Sequence, residues 1–206
     1  MNISQADIKK KKLFSCFMTW NLQLIIEFHN EQRRLMEVQV SYINEEISYC
    51  NDQHKIKELI IKKEFYINTF DSMLRTNTFL MMYSYLEEFL YHVRKWFAKN
   101  QDIKYSGSLE RFKEVVRNIL NVDLGKDREW NLLLDYEKVR DCLLHANGRV
   151  SIARKKDDLE DLIKNSHGYL RNKNDRIELS GEYLNSVSDT IDGLIKRVEK
   201  IAMVDT

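Results

Sequence analysis

Residues 127–149 read DREWNLLLDYEKVRDCLLHANGR, and they decide the fold. Leu132, Tyr136, Val139 and Leu143 recur at steps of four, three and four, the spacing that places apolar side chains on one face of a helix. Gly148 supplies the stop that a helix C-terminus favours, so the pattern predicts one helix from about Asp127 to Ala146. Upstream, Phe79, Tyr83, Leu86, Leu90, Val93 and Phe97 alternate in the same rhythm and predict a long helix from around Lys55 to about Ala98 with this seam in the core. Farther upstream, Phe17, Trp20, Leu24, Phe28, Leu35, Val38 and Tyr42 recur at three- and four-residue steps or their sums. They predict a first long helix from Leu13 to near Asn51, packed through that stripe.

Between the long helices and the central one, Ile103 to Ser108 reads as a connection, Ser108 as the N-cap of a short helix through Leu120, and Asp123 to Lys126 as a break. Downstream, Asp157 to Asn165 reads as helix and residues 169–179 as a small hairpin with Asn172 to Asp175 at its tip. Ser180 then caps a final helix in which Leu184, Val187, Ile191, Leu194, Val198 and Ile201 repeat the three-four rhythm. The expectation is an all-α bundle of about five helices, one domain over residues 1–206.

Composition supports this and narrows function. The chain has no proline and only six glycines, which removes the usual helix breakers and most of the turn chemistry of a sandwich or barrel. Its 33 basic and 32 acidic residues nearly cancel, so no global positive field draws nucleic acid, and any RNA contact has to be local. Cys16, Cys50 and Cys142 are far apart and lack His partners, which reads as reduced, packing cysteines of a cytoplasmic protein. No metal or cofactor is expected. The lysine run 9–12 reads as a solvated helix start, and the apolar stretch after it is too interrupted for a signal peptide or membrane span. His29, His54, His92 and His167 are scattered and read as surface or partly packed, while Trp20, Trp96 and Trp130 read as core.

At about 100° per residue, Glu137, Asp141 and His145 cluster opposite the apolar face of the central helix. Asp141 and His145 are four apart, so the carboxylate is placed to orient the imidazole or raise its pKa. Arg140 lies about 140° around the helix from His145, and a straight helix does not aim both at one phosphate. Two copies packed along this helix could.

Arg140, the polar Asp141 after it, and His145, separated from Arg140 by four residues, form a pattern that resembles the Arg-x(4–6)-His signature of HEPN domains, in which the residue after the arginine is usually Asn, Asp or His. The upstream run LRTNTFLMMYSYLEEFLYHV, with Ser84 ahead of Glu87 and Glu88, resembles the family's second long helix, and His-Ala-Asn-Gly resembles its helix end. The likeness covers residues 70–200 in layout and is specific over about ten residues around the motif. It implies a HEPN-like bundle with two long N-terminal helices, acting as a homodimer whose two motifs line one cleft.

The activity so implied is metal-independent RNA cleavage. His145 takes the 2′-hydroxyl proton, Arg140 stabilises the phosphorane charge and Asp141 orients, with Arg149, Arg154, Lys155 and Lys156 as candidate RNA-backbone contacts. The resemblance also implies a toxin–antitoxin or anti-phage setting, with an antitoxin or regulatory protein as a further partner. Two alternatives stay open on the residues themselves. One is a non-catalytic HEPN scaffold that binds nucleotide, RNA or a partner protein. The other is a helical adaptor in which Arg140 and Asp141 are helix-surface charges and His145 meets the last carbonyls.

Overall fold

The N-terminal half forms two long helical rods, as its freedom from proline allows. The computed structural model describes residues 5–97, Leu109, 112–114, Arg117 and 127–204. Helix α1 runs Gln5–Tyr49, 45 residues. Helix α2, Gln53–Glu64, is capped by the Asp52 carboxylate, which accepts from the backbone N–H of His54 at 2.8 Å and of Lys55 at 3.4 Å. A π-helical segment, Phe65–Phe70, joins it to α3, Asp71–Phe97, so the chain stays helical through the span read as one helix but carries a wider turn inside it. Tyr66 meets Phe65 and Phe70 edge to face at 5.9 and 6.0 Å along that turn.

Helix α4, Arg128–His145, and helix α5, Lys156–Asn165, follow. Strands β1, Leu170–Lys173, and β2, Arg176–Leu179, pair antiparallel from Leu170↔Leu179 to Lys173↔Arg176. Asn174 and Asp175 connect them with φ of 51° and 65°, the doubly left-handed turn that a two-residue hairpin prefers. Helix α6, Gly181–Val204, begins at Ser180, whose hydroxyl accepts from the Tyr183 N–H at 3.1 Å. The protein is all-α in class, with this hairpin as its sheet among the described residues. Of the expected short helix, Leu109, 112–114 and Arg117 are helical. The connection at 103–108 and the break at 123–126 lie outside the described residues.

The core gathers where α3, α4 and α6 meet. Phe79, Tyr83, Leu86, Leu90 and Val93 of α3 are buried, as their spacing predicts. In α4 the buried face is Leu133, Tyr136, Val139 and Cys142, while Leu132 and Leu143 are only partly covered. The helix touches both α3 and α6, so the covered sector is wider than the single stripe read from the sequence.

Helix α1 corrects the reading more sharply. Trp20, Leu24, Phe28, Leu35, Val38 and Tyr42 are exposed, and Met18, Leu22, His29, Met36 and Ile43 face inward. The inner set repeats at four, seven, seven and seven residues, as regular as the outer one, but it includes a histidine and so reads as less apolar. That histidine is satisfied inside. Thr78 spends its hydroxyl proton on the Leu74 carbonyl at 2.9 Å, so the Thr78 oxygen accepts from His29 Nδ1–H, also at 2.9 Å. His29 is therefore buried and not a surface residue, and Trp20 is not core. Among the described residues no helix is long and apolar enough to cross a membrane.

Burial holds the His29 pKa below its ordinary 6.5; Arg33 adds to the effect, Asp71 opposes it and Arg75 adds again. The folded state thus keeps His29 neutral while the unfolded chain takes up a proton as pH falls through 6.5. Stability is lost on acidification below that value. In urea unfolding at about pH 7.5 and about pH 5.5, His29→Gln, which keeps a donor for Thr78 but does not titrate, should show a smaller drop between the two than the wild type. An equal drop would remove His29 from the account.

Candidate functional site

Helix α4 carries the motif and is fixed from its first turn. The Asp127 carboxylate accepts from the N–H groups of Glu129 and Trp130 at 2.9 and 3.2 Å, and Arg197 of α6 pairs with Asp127 and, at 2.7 Å, with Glu129. Two turns on, the Tyr136 hydroxyl lies 3.1 Å from both Ser186 and Thr190 of α6, and its ring stands edge-on to Tyr183 at 5.5 Å. These contacts set the rotation of α4 and so the direction in which Arg140 leaves it.

Arg140 points to α3. Its Nη2 donates to Glu87 Oε1 at 3.0 Å, its Nη1 to Asp141 Oδ1 at 2.8 Å, and its guanidinium lies 5.6 Å from the centre of the Tyr83 ring. The side chain is 25% exposed, so the group is held at the surface rather than sealed. Burial raises the Glu87 pKa, Arg140 counteracts it by charge and hydrogen bond, and Asp141 adds to the rise. Burial also pushes the Tyr83 phenol far up, helped by Glu137 and Glu87, so it stays protonated. A guanidinium has five N–H donors, and these contacts do not exhaust it.

The Asp141 carboxylate accepts from Arg140, and no hydrogen bond joins it to His145 among the described residues. The expected carboxylate–imidazole pair is therefore not the arrangement found, because a permanently charged guanidinium stands on the adjacent residue. His145 is the last residue of α4 and is exposed. Beyond it, Ala146 N–H and Gly148 N–H both donate to the Cys142 carbonyl at 3.0 Å. Asn147 and Gly148 have φ of 50° and 73°, where glycine is the unstrained choice.

The hairpin holds this exit. Gly148 O accepts from Ile177 N–H at 2.9 Å, Asn147 O from Arg176 Nη1 at 2.8 Å, and the Asp175 carboxylate from Ser151 N–H and Oγ–H at 2.8 and 2.6 Å. Between the hairpin and the start of α3 lies a cavity of about 560 Å³, lined by Thr76, Asn77, Asn147, Lys173 and Arg176 among others.

The four candidate RNA contacts are all exposed. Arg149 bridges Arg176 through the backbone, Lys156 pairs with Glu160 at 3.7 Å, and Arg154 and Lys155 lie between them in sequence. No hydrogen bond or ion pair joins Arg140 to His145 among the described residues. Glu87, Tyr83, Asp175 and Arg176 enter as site residues that spacing along α4 does not point to. Glu87 stands in sequence one turn after Tyr83, but only the packing of α3 on α4 brings it to Arg140. Among the described residues no group of three or more His, Cys, Asp or Glu is placed to hold a metal ion. Cys142 is buried, and burial pushes its thiol up to about 11, which suits a packing role. Compared with known protein families, curated proteins and solved structures, the chain has no match.

Arg140→Ala should leave half-buried Glu87 without its cation and lower stability by about 1–3 kcal/mol, whereas His145→Ala should stay within about 0.5 kcal/mol. Thermal midpoints at neutral pH check the difference, at roughly 2–4 °C per kcal/mol for a chain of this size. The Arg140→Ala deficit should shrink in acid, where Glu87 takes up a proton. Equal midpoints for both variants would mean that the ion pair contributes nothing.

Proposed function

We propose that the chain is a metal-independent endoribonuclease of the HEPN type, acting in the cytoplasm as a homodimer in a toxin–antitoxin or anti-phage system with an antitoxin or regulatory partner. The observation that carries this reading is the state of the motif: Arg140 is oriented by Glu87, Asp141 and the Tyr83 ring, while His145 stands exposed at the end of the same helix. In the proposed reaction, neutral His145 takes the proton of an RNA 2′-hydroxyl, and that oxygen attacks the adjacent phosphorus. Arg140 forks to two phosphate oxygens as negative charge builds, and the 5′-oxygen departs with a proton from water, to which the His145 imidazolium then returns one. The products are a 2′,3′-cyclic phosphate and a 5′-hydroxyl. Asp141 serves by orienting Arg140. Arg149, Arg154, Lys155 and Lys156 supply an exposed basic segment for the flanking backbone. Arg140 and His145 diverge by about 140° around α4, which favours a site composed of Arg140 from one copy and His145 from the other.

The doubly paired guanidinium favours a second reading as well. Glu87 and Asp141 already neutralise Arg140, as suits a non-catalytic scaffold that uses this face to bind RNA, nucleotide or a partner protein. Incubation with structured RNA in EDTA separates the two. The nuclease reading expects cleavage that EDTA leaves unchanged, a loss of at least about a hundredfold in His145→Ala, and partial recovery in Arg140→Lys, which keeps the charge without the fork. Mixing inactive His145→Ala with inactive Arg140→Ala should restore activity if the site is shared. Binding without cleavage selects the scaffold, and cleavage that needs added magnesium excludes the proposed chemistry.

A further inference from the structure

The exposed stripe on α1 is long, continuous and regular. Trp20, Leu24, Phe28, Leu35, Val38 and Tyr42 are between 37% and 62% exposed. At about 100° per residue they occupy a sector of about 80°, centred roughly 140° from the buried His29. The stripe is thus a second face of the helix and not the margin of the core.

Its spacing is that of a supercoiling seam. Phe28, Leu35, Tyr42 and Tyr49 are seven residues apart, with Leu24 and Val38 at the intervening apolar positions of the heptad. Together the six exposed side chains offer on the order of 700 Å², close to the roughly 800 Å² that each partner contributes to a standard stable interface. Isolated exposed apolar residues are ordinary, but a patch of this size on one helix face marks a contact surface.

Charge chooses the occupant and its direction. Glu31 and Glu45 fill the remaining seam positions, so a parallel, in-register pair of α1 helices would set Glu31 against Glu31 and Glu45 against Glu45. An antiparallel pair centred near residues 29–30 avoids this. It places Leu24 across from Leu35 of the second copy and Glu27 beside Arg34 of the second copy, each twice by symmetry. Next to this centre, an apolar groove of about 840 Å³ between α1 and α3, lined by Ile25, Phe28, Gln32, Met73 and Met81 among others, offers a recess for the second copy's Phe28.

We infer that α1 is a homodimerisation helix, pairing antiparallel with α1 of a second copy through the seam of Leu24, Phe28, Leu35 and Tyr42. The pairing goes beyond the nuclease reading and holds for an inactive chain as well. Sedimentation of the full chain at about 50 µM should give a dimer of 24.7 kDa subunits. Leu24→Glu with Leu35→Glu should weaken it by on the order of a hundredfold or more and leave the helical circular dichroism unchanged, since both positions are exposed. Leu24→Glu with Leu35→Lys should restore the dimer, because only the antiparallel register brings the new acid opposite the new base. A monomeric wild type, a dimer indifferent to the double glutamate, or failure of the charge-paired variant to recover would each overturn the inference. Charge reversal at Glu137 or Asp141 reads out the separate α4 contact that the composite nuclease site needs, and a dimer that only those changes dissolve would overturn the inference. RNA cleavage is scored separately: a dimer through α1 that cleaves no RNA keeps this interface and removes the nuclease reading.

Discussion

Where α3, α4 and α6 meet, the rings of Phe79, Tyr83, Tyr136 and Tyr183 pack against one another, with Tyr183 5.8 Å from Phe79 and 5.5 Å from Tyr136. The rest of the arrangement depends on this junction. Aromatic rings bring large buried area at little rotamer cost, and their tilted and edge-on contacts fix relative helix rotation as well as distance. The Tyr136 hydroxyl would be costly to bury unpaired, and Ser186 and Thr190 remove that cost only if α4 and α6 keep one register. Once α4 is held in this way, Arg140 has one place to go. It lies over the outer edge of the same cluster, at Tyr83, with Glu87 one turn farther along α3.

The motif face therefore inherits its order from the core behind it. An arginine on a free helix surface samples many rotamers and gains little from a single ion pair. Here the guanidinium is partly covered, meets two carboxylates and rests on a ring, so much of the ordering that a phosphate contact requires has already been met. The same carboxylates compete with a phosphate for its charge. In the proposed nuclease this tension makes Arg140 a poised group, and in the proposed scaffold it makes Arg140 a structural one. The balance is set by Glu87, whose burial already disfavours its own charge.

Helix α1 shows how an amphipathic pattern divides. Both of its apolar stripes satisfy helical periodicity, and the more hydrophobic one is left outside. The inner stripe wins its place through fit. Met18 and Leu22 join the core that α3 and α6 build, and His29 finds in Thr78 an acceptor that offsets its desolvation. The outer stripe keeps its aromatic and branched residues at heptad spacing, which a lone helix in water has no physical use for.

Local rules were enough for much of this molecule. Helix class follows from the absence of proline and from periodicity, the bounds of α4 and α6 from Asp127, Ser180 and Gly148, and the hairpin from its Asn-Asp turn, because each depends on residues a few positions apart. The motif of Arg140, Asp141 and His145 is likewise legible in one short run. What faces what was decided only in three dimensions. That Glu87 holds Arg140, that Asp141 turns to the arginine and not to His145, that Asp175 and Arg176 tie down the segment after His145, and that α1 buries His29 while exposing Trp20 all join residues tens of positions apart or choose between equally periodic faces. Periodicity states that a helix has an apolar side, and only the shape and hydrogen-bonding needs of its neighbours select which side is covered.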